Sequence, residues 1–343
     1  MPKTAKHLWE EVISWENLIA AYHEARKRKR YKIDVMRFHR RWEEELLNIH
    51  NHLVWQSWQP SPFSAFTVYE PKVRLIEAPA FRDRVVHHAL HRVVEPYFEA
   101  RFIHHSYACR RGFGAHRASQ HVQRCLARAQ QRWGKVYVLQ GDISKYFPSI
   151  HRERLLEQLD RTIRDPKVMA LWSRIVHTDD ADHGLPIGAL TSQLAGNAYL
   201  DVLDHWVQDD MGYTEYARYM DDWVVLGPCK EQMKRLLSTL EQRLGDDLDL
   251  RLSKGLVYPA SQGVDFAGYR TWATHKLPRR KNVVAARRRL KALAARYAAG
   301  NASYYELRQS LSSFLGHIQH ADAHRVAVSV VEEVAVKARL NAR

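Results

Sequence analysis

The sequence predicts an α+β fold. Helical spacing of apolar residues fills the first sixty residues and the last seventy, short β-like runs lie between them, and strand and helix patterns follow one another in mixed order. At 343 residues the chain can bury a sizeable core, enough for two domains or for one with a substantial appendage.

Residues 7 to 58 read as helices, with apolar positions at Leu8, Val12, Trp15, Leu18 and Ile19, then at Phe38, Trp42, Leu46 and Leu47. A basic run from Arg26 to Lys32 interrupts this amphipathic lobe. Prolines at 60, 62 and 71 break the helical pattern, and FTVYE (66–70) with VRLIEA (73–78) alternates as a hairpin would. Residues 81–101 are helical again. KVYVLQGDI (135–143) is a short apolar run rich in β-branched and aromatic residues, so it reads as a buried strand, with a helix over about 149–160 after it. The turn Gly184-Leu185-Pro186-Ile187-Gly188 precedes a helix over Ser192–Val207, and ARYMDDWVVLG (217–227) reads as strand, tight acidic turn, strand. From Arg279 to Gly300 a helical pattern carries eight basic residues and no acidic one, and two more helices follow, over Tyr304–His320 and Ala323–Leu340. Such an all-positive face repels itself unless an anion lies on it, which suits a module that grips a phosphate backbone.

Charge points the same way. Lys and Arg number 53 against 38 Asp and Glu, a net +15, for which a polyanion is the commonest partner; a solvated basic surface is the alternative. Apolar and charged shares of 45% and 27% are ordinary globular usage and argue against a disordered or fibrous chain. Cys109, Cys125 and Cys229 are too few and too scattered for a disulfide framework or a zinc site, which fits a reducing compartment. The chain has no uncharged apolar run of membrane-spanning length, so the expectation is a soluble, cytoplasmic protein with no membrane partner. His87, His88 and His91 share a predicted helix, but with no carboxylate or cysteine read at ligand spacing they do not predict zinc.

Asp-Asp occurs four times, and context separates the pairs. Asp179-Asp180 lies in a polar loop, and the pairs at 209 and 246 sit where helix gives way to turn, all three reading as surface. Asp221 and Asp222 are instead set between Tyr219-Met220 and Trp223-Val224-Val225-Leu226, where an acid is costly unless a cation or partner compensates. Asp142 shows the same anomaly, ending VYVLQG ahead of Tyr146 and Phe147. Three carboxylates on two strand elements are what two Mg2+ ions ~3.5–4 Å apart require for in-line displacement at phosphorus. Pairing of these acids with Arg218 or Arg110 is the alternative.

These residues resemble a known family. Tyr219-Met220-Asp221-Asp222 resembles the YxDD box of reverse transcriptases, and Asp142 with Phe147 resembles their first palm motif, within a likeness that keeps the family's order over roughly residues 66 to 320. The resemblance implies a right-hand polymerase: an N-terminal helical extension (1–60), fingers and palm of antiparallel sheet plus helices (61–274), and a basic helical thumb (275–343). It implies catalytic and metal-binding roles for Asp142, Asp221 and Asp222. Lys72 and Arg74 resemble the finger residues that bind the incoming triphosphate. SYACRRGFGAHRA (106–118), with Arg110, resembles the block that lies against template and nucleotide. Phe147 would be the steric gate that excludes a ribose 2′-hydroxyl, while Phe266, Gly268 and Tyr269 resemble the primer grip.

GLPIGALTSQLAGNAYL (184–200) narrows the likeness. Most reverse transcriptases carry Gln-Gly and later Ser-Pro where this chain has Ile187-Gly188 and Ser192-Gln193, a variant that resembles the enzymes of diversity-generating retroelements. WENLIAAYHEARKRKR and FLGHIQHADAHR resemble the phage-type members of that branch. That implies template RNA, a DNA or cDNA primer and deoxynucleoside triphosphates as ligands, errors opposite template adenine, and a small basic oligomeric accessory protein as partner. Many relatives place a lysine after the LxLS segment as a general acid; aligned on LRLS that position is Leu256, and Lys254 is two residues off, so the role does not carry over.

Overall fold

Hydrophobic spacing becomes secondary structure much as the sequence predicts in the computed structural model, which describes residues 5–69 and 73–339. In chain order come α1 (Trp9–Ile13), α2 (Trp15–Arg26), α3 (Ile33–Arg40), α4 (Trp42–Val54), β1 (Ser64–Val68), β2 (Arg74–Ala78), α5 (Phe81–Glu99) and α6 (Ala115–Trp133). Next are β3 (Tyr137–Ile143), α7 (Tyr146–Ser149), α8 (Arg152–Asp160), α9 (Pro166–Val176), α10 (Leu190–Tyr199), α11 (Asp201–His205), β4 (Tyr216–Tyr219), β5 (Asp222–Gly227) and α12 (Lys230–Leu248). Last are β6 (Leu252–Pro259), β7 (Val264–Phe266), β8 (Tyr269–Thr271), β9 (Lys276–Pro278), α13 (Arg280–Ala298), α14 (Tyr304–Ile318) and α15 (His324–Arg339). Contacts divide the chain into two compact units: residues up to 110 with 142–212 and 238–254, and residues 111–141 with 213–237 and 255 onward.

In the first unit α5 packs against α2 and α10, burying Val85, Val86, Leu90 and Val94. One carboxylate ties the start of the chain to this core. Asp165 Oδ2 accepts the backbone N–H groups of Leu8 (2.7 Å) and Trp9 (3.0 Å), while its Oδ1 caps α9 through Lys167 and Val168. The predicted hairpin is present as β1 and β2, paired antiparallel from Ser64↔Ala78 to Val68↔Arg74. Lys72 lies outside the described residues. The helix expected over Ser192–Val207 is divided: α10 ends at Tyr199, Leu200 leaves helical geometry (ψ 1°), and a π-helical turn over Trp206–Asp210 follows α11. Asp179, Asp180, Asp209, Asp210, Asp246 and Asp247 are exposed, as expected.

The histidines of α5 need a correction. Carboxylates do stand near them, with Glu24 3.6 Å from His88 and Glu95, one turn on, 3.7 Å from His91. His87 is core, its Nδ1 3.3 Å from Thr191 Oγ1 and its ring edge-on to Trp58. Burial, with His88 and Arg84 adding like charge, pushes its pKa down to about 3. Folding therefore keeps this imidazole neutral, and below about 6.5 the unfolded chain takes up a proton that the folded chain refuses; stability, full above that pH, is lost as pH falls toward 3. His87→Leu should reduce the drop in guanidinium midpoint between pH 7 and pH 4.5, with His88, which burial also pushes down to about 4, accounting for a further part. An equally steep drop in the variant would place the acid sensitivity elsewhere.

In the second unit α6 packs against β4, β5 and β8. Val138, Leu139, Trp223 and Val225 fill the core of a four-stranded sheet of order β4-β5-β3-β6, and β7-β8-β9 form a second, antiparallel sheet. The basic segment forms a three-helix module around Leu290, Ala294, Phe314 and Val330. Ser303 and Glu306 close a reciprocal capping box that starts α14. Its positive face is less self-repelling than the sequence implies, because Glu333 on α15 pairs with Lys291 (2.8 Å) and Arg287 (3.5 Å). No described helix is long and apolar enough to cross a membrane.

Candidate active site

The acidic turn lies within the second unit. β4 and β5 pair antiparallel from Tyr216↔Val225 to Tyr219↔Asp222, so Met220 and Asp221 alone make the turn. Met220 adopts the left-handed conformation (φ 58°), and the buried Arg218 donates to its carbonyl at 3.1 Å. The guanidinium thereby holds the reversal from beneath and leaves Asp221 and Asp222 half-buried at the strand ends.

Asp222 is oriented by residues that sequence reasoning missed. Gln140 Nε2 donates to Asp222 Oδ1 (3.1 Å) and to the Asp265 carbonyl (2.9 Å), while Gln140 Oε1 accepts the Tyr258 hydroxyl (3.0 Å). Burial, reinforced by the charges of Asp222 and Asp265, raises the pKa of Tyr258, so it remains a donor and fixes which end of the amide faces Asp222. Arg279 stands 4.0 Å from Asp222 Oδ2 and also pairs with Asp265. A glutamine within the apolar run VYVLQGD was the visible signal: a buried amide must find partners.

β3 is one strand whose Gln140 and Gly141 belong to the second unit and whose Asp142 and Ile143 belong to the first. Gly141 is required there, because a Cβ would lie 2.2 Å from Trp223 Cζ2. In the first unit Asp142 Oδ2 accepts the Ser253 hydroxyl at 2.9 Å, and Ser144 N–H donates to the Arg251 carbonyl at 2.8 Å. The LRLS segment thus orients Asp142.

Several of the predicted ligand residues meet in the first unit. Phe147 is half-buried in α7 after the left-handed Lys145, and its carbonyl accepts Leu185 N–H at 2.9 Å. The Ile187 carbonyl accepts Glu77 N–H at 3.0 Å, so the 184–188 turn lies against β2, which begins at the exposed Arg74. Gly188 sits at φ 126° with Ile76 Cγ2 3.1 Å from where a Cβ would be. Ser192 is buried in α10, whereas Gln193 is exposed.

Other predicted positions have different surroundings. The Arg110 side chain, 5% exposed, pairs with Glu99 (2.9 Å), donates to the carbonyls of Ile103 and Ser106, and lies over the Phe102 ring. Its donors are taken up within a loop of the first unit. The Phe266 side chain is wholly buried, so it supports the hairpin from inside and is not a contact surface. The turn beside it, Ala267 and Gly268 (φ 47° and 91°), is buried at Ala267 and half-buried at Gly268. Tyr269 is buried, its hydroxyl donating to the His317 carbonyl at 3.0 Å. Leu256 is 46% exposed. Among the described residues no three His, Cys, Asp or Glu side chains are gathered as a ready-made cage for an ion. Hard carboxylate oxygens at Asp142, Asp221 and Asp222 nonetheless suit magnesium.

A family model described as reverse transcriptase (RNA-dependent DNA polymerase) matches residues 68–270, more than half of the chain. The chain belongs to the reverse transcriptase family. Its helices stand with antiparallel strand pairs, β1-β2, β4-β5 and β7-β8-β9, in mixed α+β order. The reverse transcriptase is 28% identical over 272 residues to protein YkfC of Escherichia coli, a match covering 66% of this chain and 71% of YkfC. It is 25% identical over 176 residues to the group II intron-encoded protein LtrA of Lactococcus lactis, covering 48% of this chain and 28% of LtrA. A solved telomerase of Candida albicans, in complex with a fragment of telomeric RNA, aligns with TM-score 0.48 and 9% identity over 83% of this chain and 61% of that one. The chain therefore spans under two thirds of LtrA and of the telomerase chain.

Proposed function

We infer that this protein is an RNA-directed DNA polymerase that makes adenine-error-prone cDNA from a template-repeat RNA, for mutagenic retrohoming in a diversity-generating retroelement. One observation carries the polymerase reading: Asp222, at the acidic turn, accepts a hydrogen bond from Gln140 of β3, the strand that also carries Asp142. Asp142, Asp221 and Asp222 would hold two Mg2+ ions, which would supply activation of a 3′-hydroxyl and neutralisation of charge at phosphorus. Arg74 and Lys72 bind the triphosphate, and Phe147 excludes the ribose 2′-hydroxyl. Residues 1–60 form the extension, 61–274 fingers and palm, and 275–343 the thumb. The enzyme works in a bacterial or phage-infected cytoplasm with a small basic accessory protein.

Ile187 supports the retroelement assignment. Its carbonyl is engaged by Glu77 N–H, and its side chain offers no amide to a nascent base pair, so a hydrogen bond that would favour correct geometry is missing. A group II intron-type polymerase is the second reading, favoured by the similarity to LtrA. Primer extension on an RNA template, followed by sequencing, separates these. The retroelement reading expects errors concentrated opposite adenine, and Ile187→Gln should lower them severalfold. Extension with errors spread evenly over the template bases would favour the intron-type reading, and no extension would overturn both.

A further inference from the structure

A groove on the second unit has no part in the chemistry above. Two hollows, of about 480 and 400 Å3, share Ala273 as a common wall. Gln120, Gln123, Arg124, Ala127 and Gln130 line them along one side, at the spacing of a single helix face that runs ~15 Å at 1.5 Å per residue. The deeper hollow has an apolar floor that includes Leu126 and Pro259, and Lys135 and Thr274 at its rim.

Its aromatic wall is rigid. Trp272 is stacked on His275 (centroids 4.6 Å apart, planes 11° apart), has Arg270 over its ring, and donates its indole N–H to the Ser261 carbonyl at 3.0 Å. Gly263 permits this seat, because a Cβ there would lie 2.5 Å from the indole. The hollow is therefore preformed, and it falls within the usual size of small-ligand pockets.

The chemistry of the lining selects the occupant. α6 carries four arginines and no acid, and Arg124 and Lys135 are exposed on the groove. Glutamine amides both donate and accept, which suits base edges, while exposed cations suit phosphates. We propose that this groove binds single-stranded RNA, with a base in the Trp272 hollow and backbone phosphates on Arg124 and Lys135. Holding single strand outside the acidic turn would tether the template independently of catalysis.

The test is photo-cross-linking of the full chain to a short thiouridine-substituted RNA, with peptides mapped by mass spectrometry. Cross-links should fall within 120–136 and 259–274. Ala273→Trp, which fills the shared wall, should lower their yield about tenfold by closing the hollow to a base. Arg124→Glu with Lys135→Glu should do the same and reduce the slope of log affinity against log salt by about 1.4, two phosphates' worth for a single strand. Both variants should keep the parental melting temperature and extend a pre-annealed primer normally, so that loss of the groove is distinguishable from loss of polymerase function. Cross-links confined to other peptides, or an acidic peptide protecting the groove where RNA does not, would overturn the proposal.

Discussion

Replacing Asp222 with asparagine should lower primer extension on an RNA template by about 10³-fold, ~4 kcal/mol of transition-state stabilisation, with little change in the KM for nucleotide. The substitution keeps shape and removes charge. Gln140 now donates to Asp222 Oδ1 and Arg279 stands 4.0 Å from Oδ2, so the variant loses a charge-assisted hydrogen bond and should melt only slightly lower. Asp221→Asn and Asp142→Asn should behave alike, and the triple variant little worse than a single one, because groups that act as a unit are not additive. A non-catalytic RNA-binding scaffold would show no such effect. Equal incorporation by parent and variants would favour that scaffold.

Gly141→Ala should destabilise the fold by about 3 kcal/mol, read from urea midpoints, the upper range for overpacking a core. The added methyl would lie 2.2 Å from Trp223 Cζ2, and Trp223 is fully buried beside Asp222. Either β3 or the indole must move, and both carry neighbours of the acids. Trp223→Leu alone should cost about as much through its cavity. The double variant should be less damaged than the sum, because each change relieves the other. Additive losses would mean that the close approach of Gly141 and Trp223 does not control the packing.

Much of this was legible in the residues. The hairpin around Asp221 and Asp222 could be read because apolar β-formers flank the acids so closely that no other element fits. The basic helical module was legible from spacing alone. Its internal neutralisation was not, since Glu333 is far along the chain from Lys291. The surroundings of Arg110 were not legible, because a sequence shows its charge but not that Glu99 and two carbonyls take up its donors. Nor was the burial of the Phe266 side chain. The block it belongs to alternates as a strand, and only the fold decides which face turns inward. Gln140 and Ser253, which position Asp222 and Asp142, carried only the weaker signal of polar residues in apolar company.

Iron-directed cleavage addresses the central claim directly. Fe2+ in place of magnesium, with ascorbate and peroxide, cuts the backbone beside wherever the ion is held. Cuts should fall near both Asp142 and Asp221-Asp222, be suppressed by excess Mg2+ and be lost together in Asp222→Asn. Cuts at one segment without the other, or cuts that survive that substitution, would contradict a shared cation site.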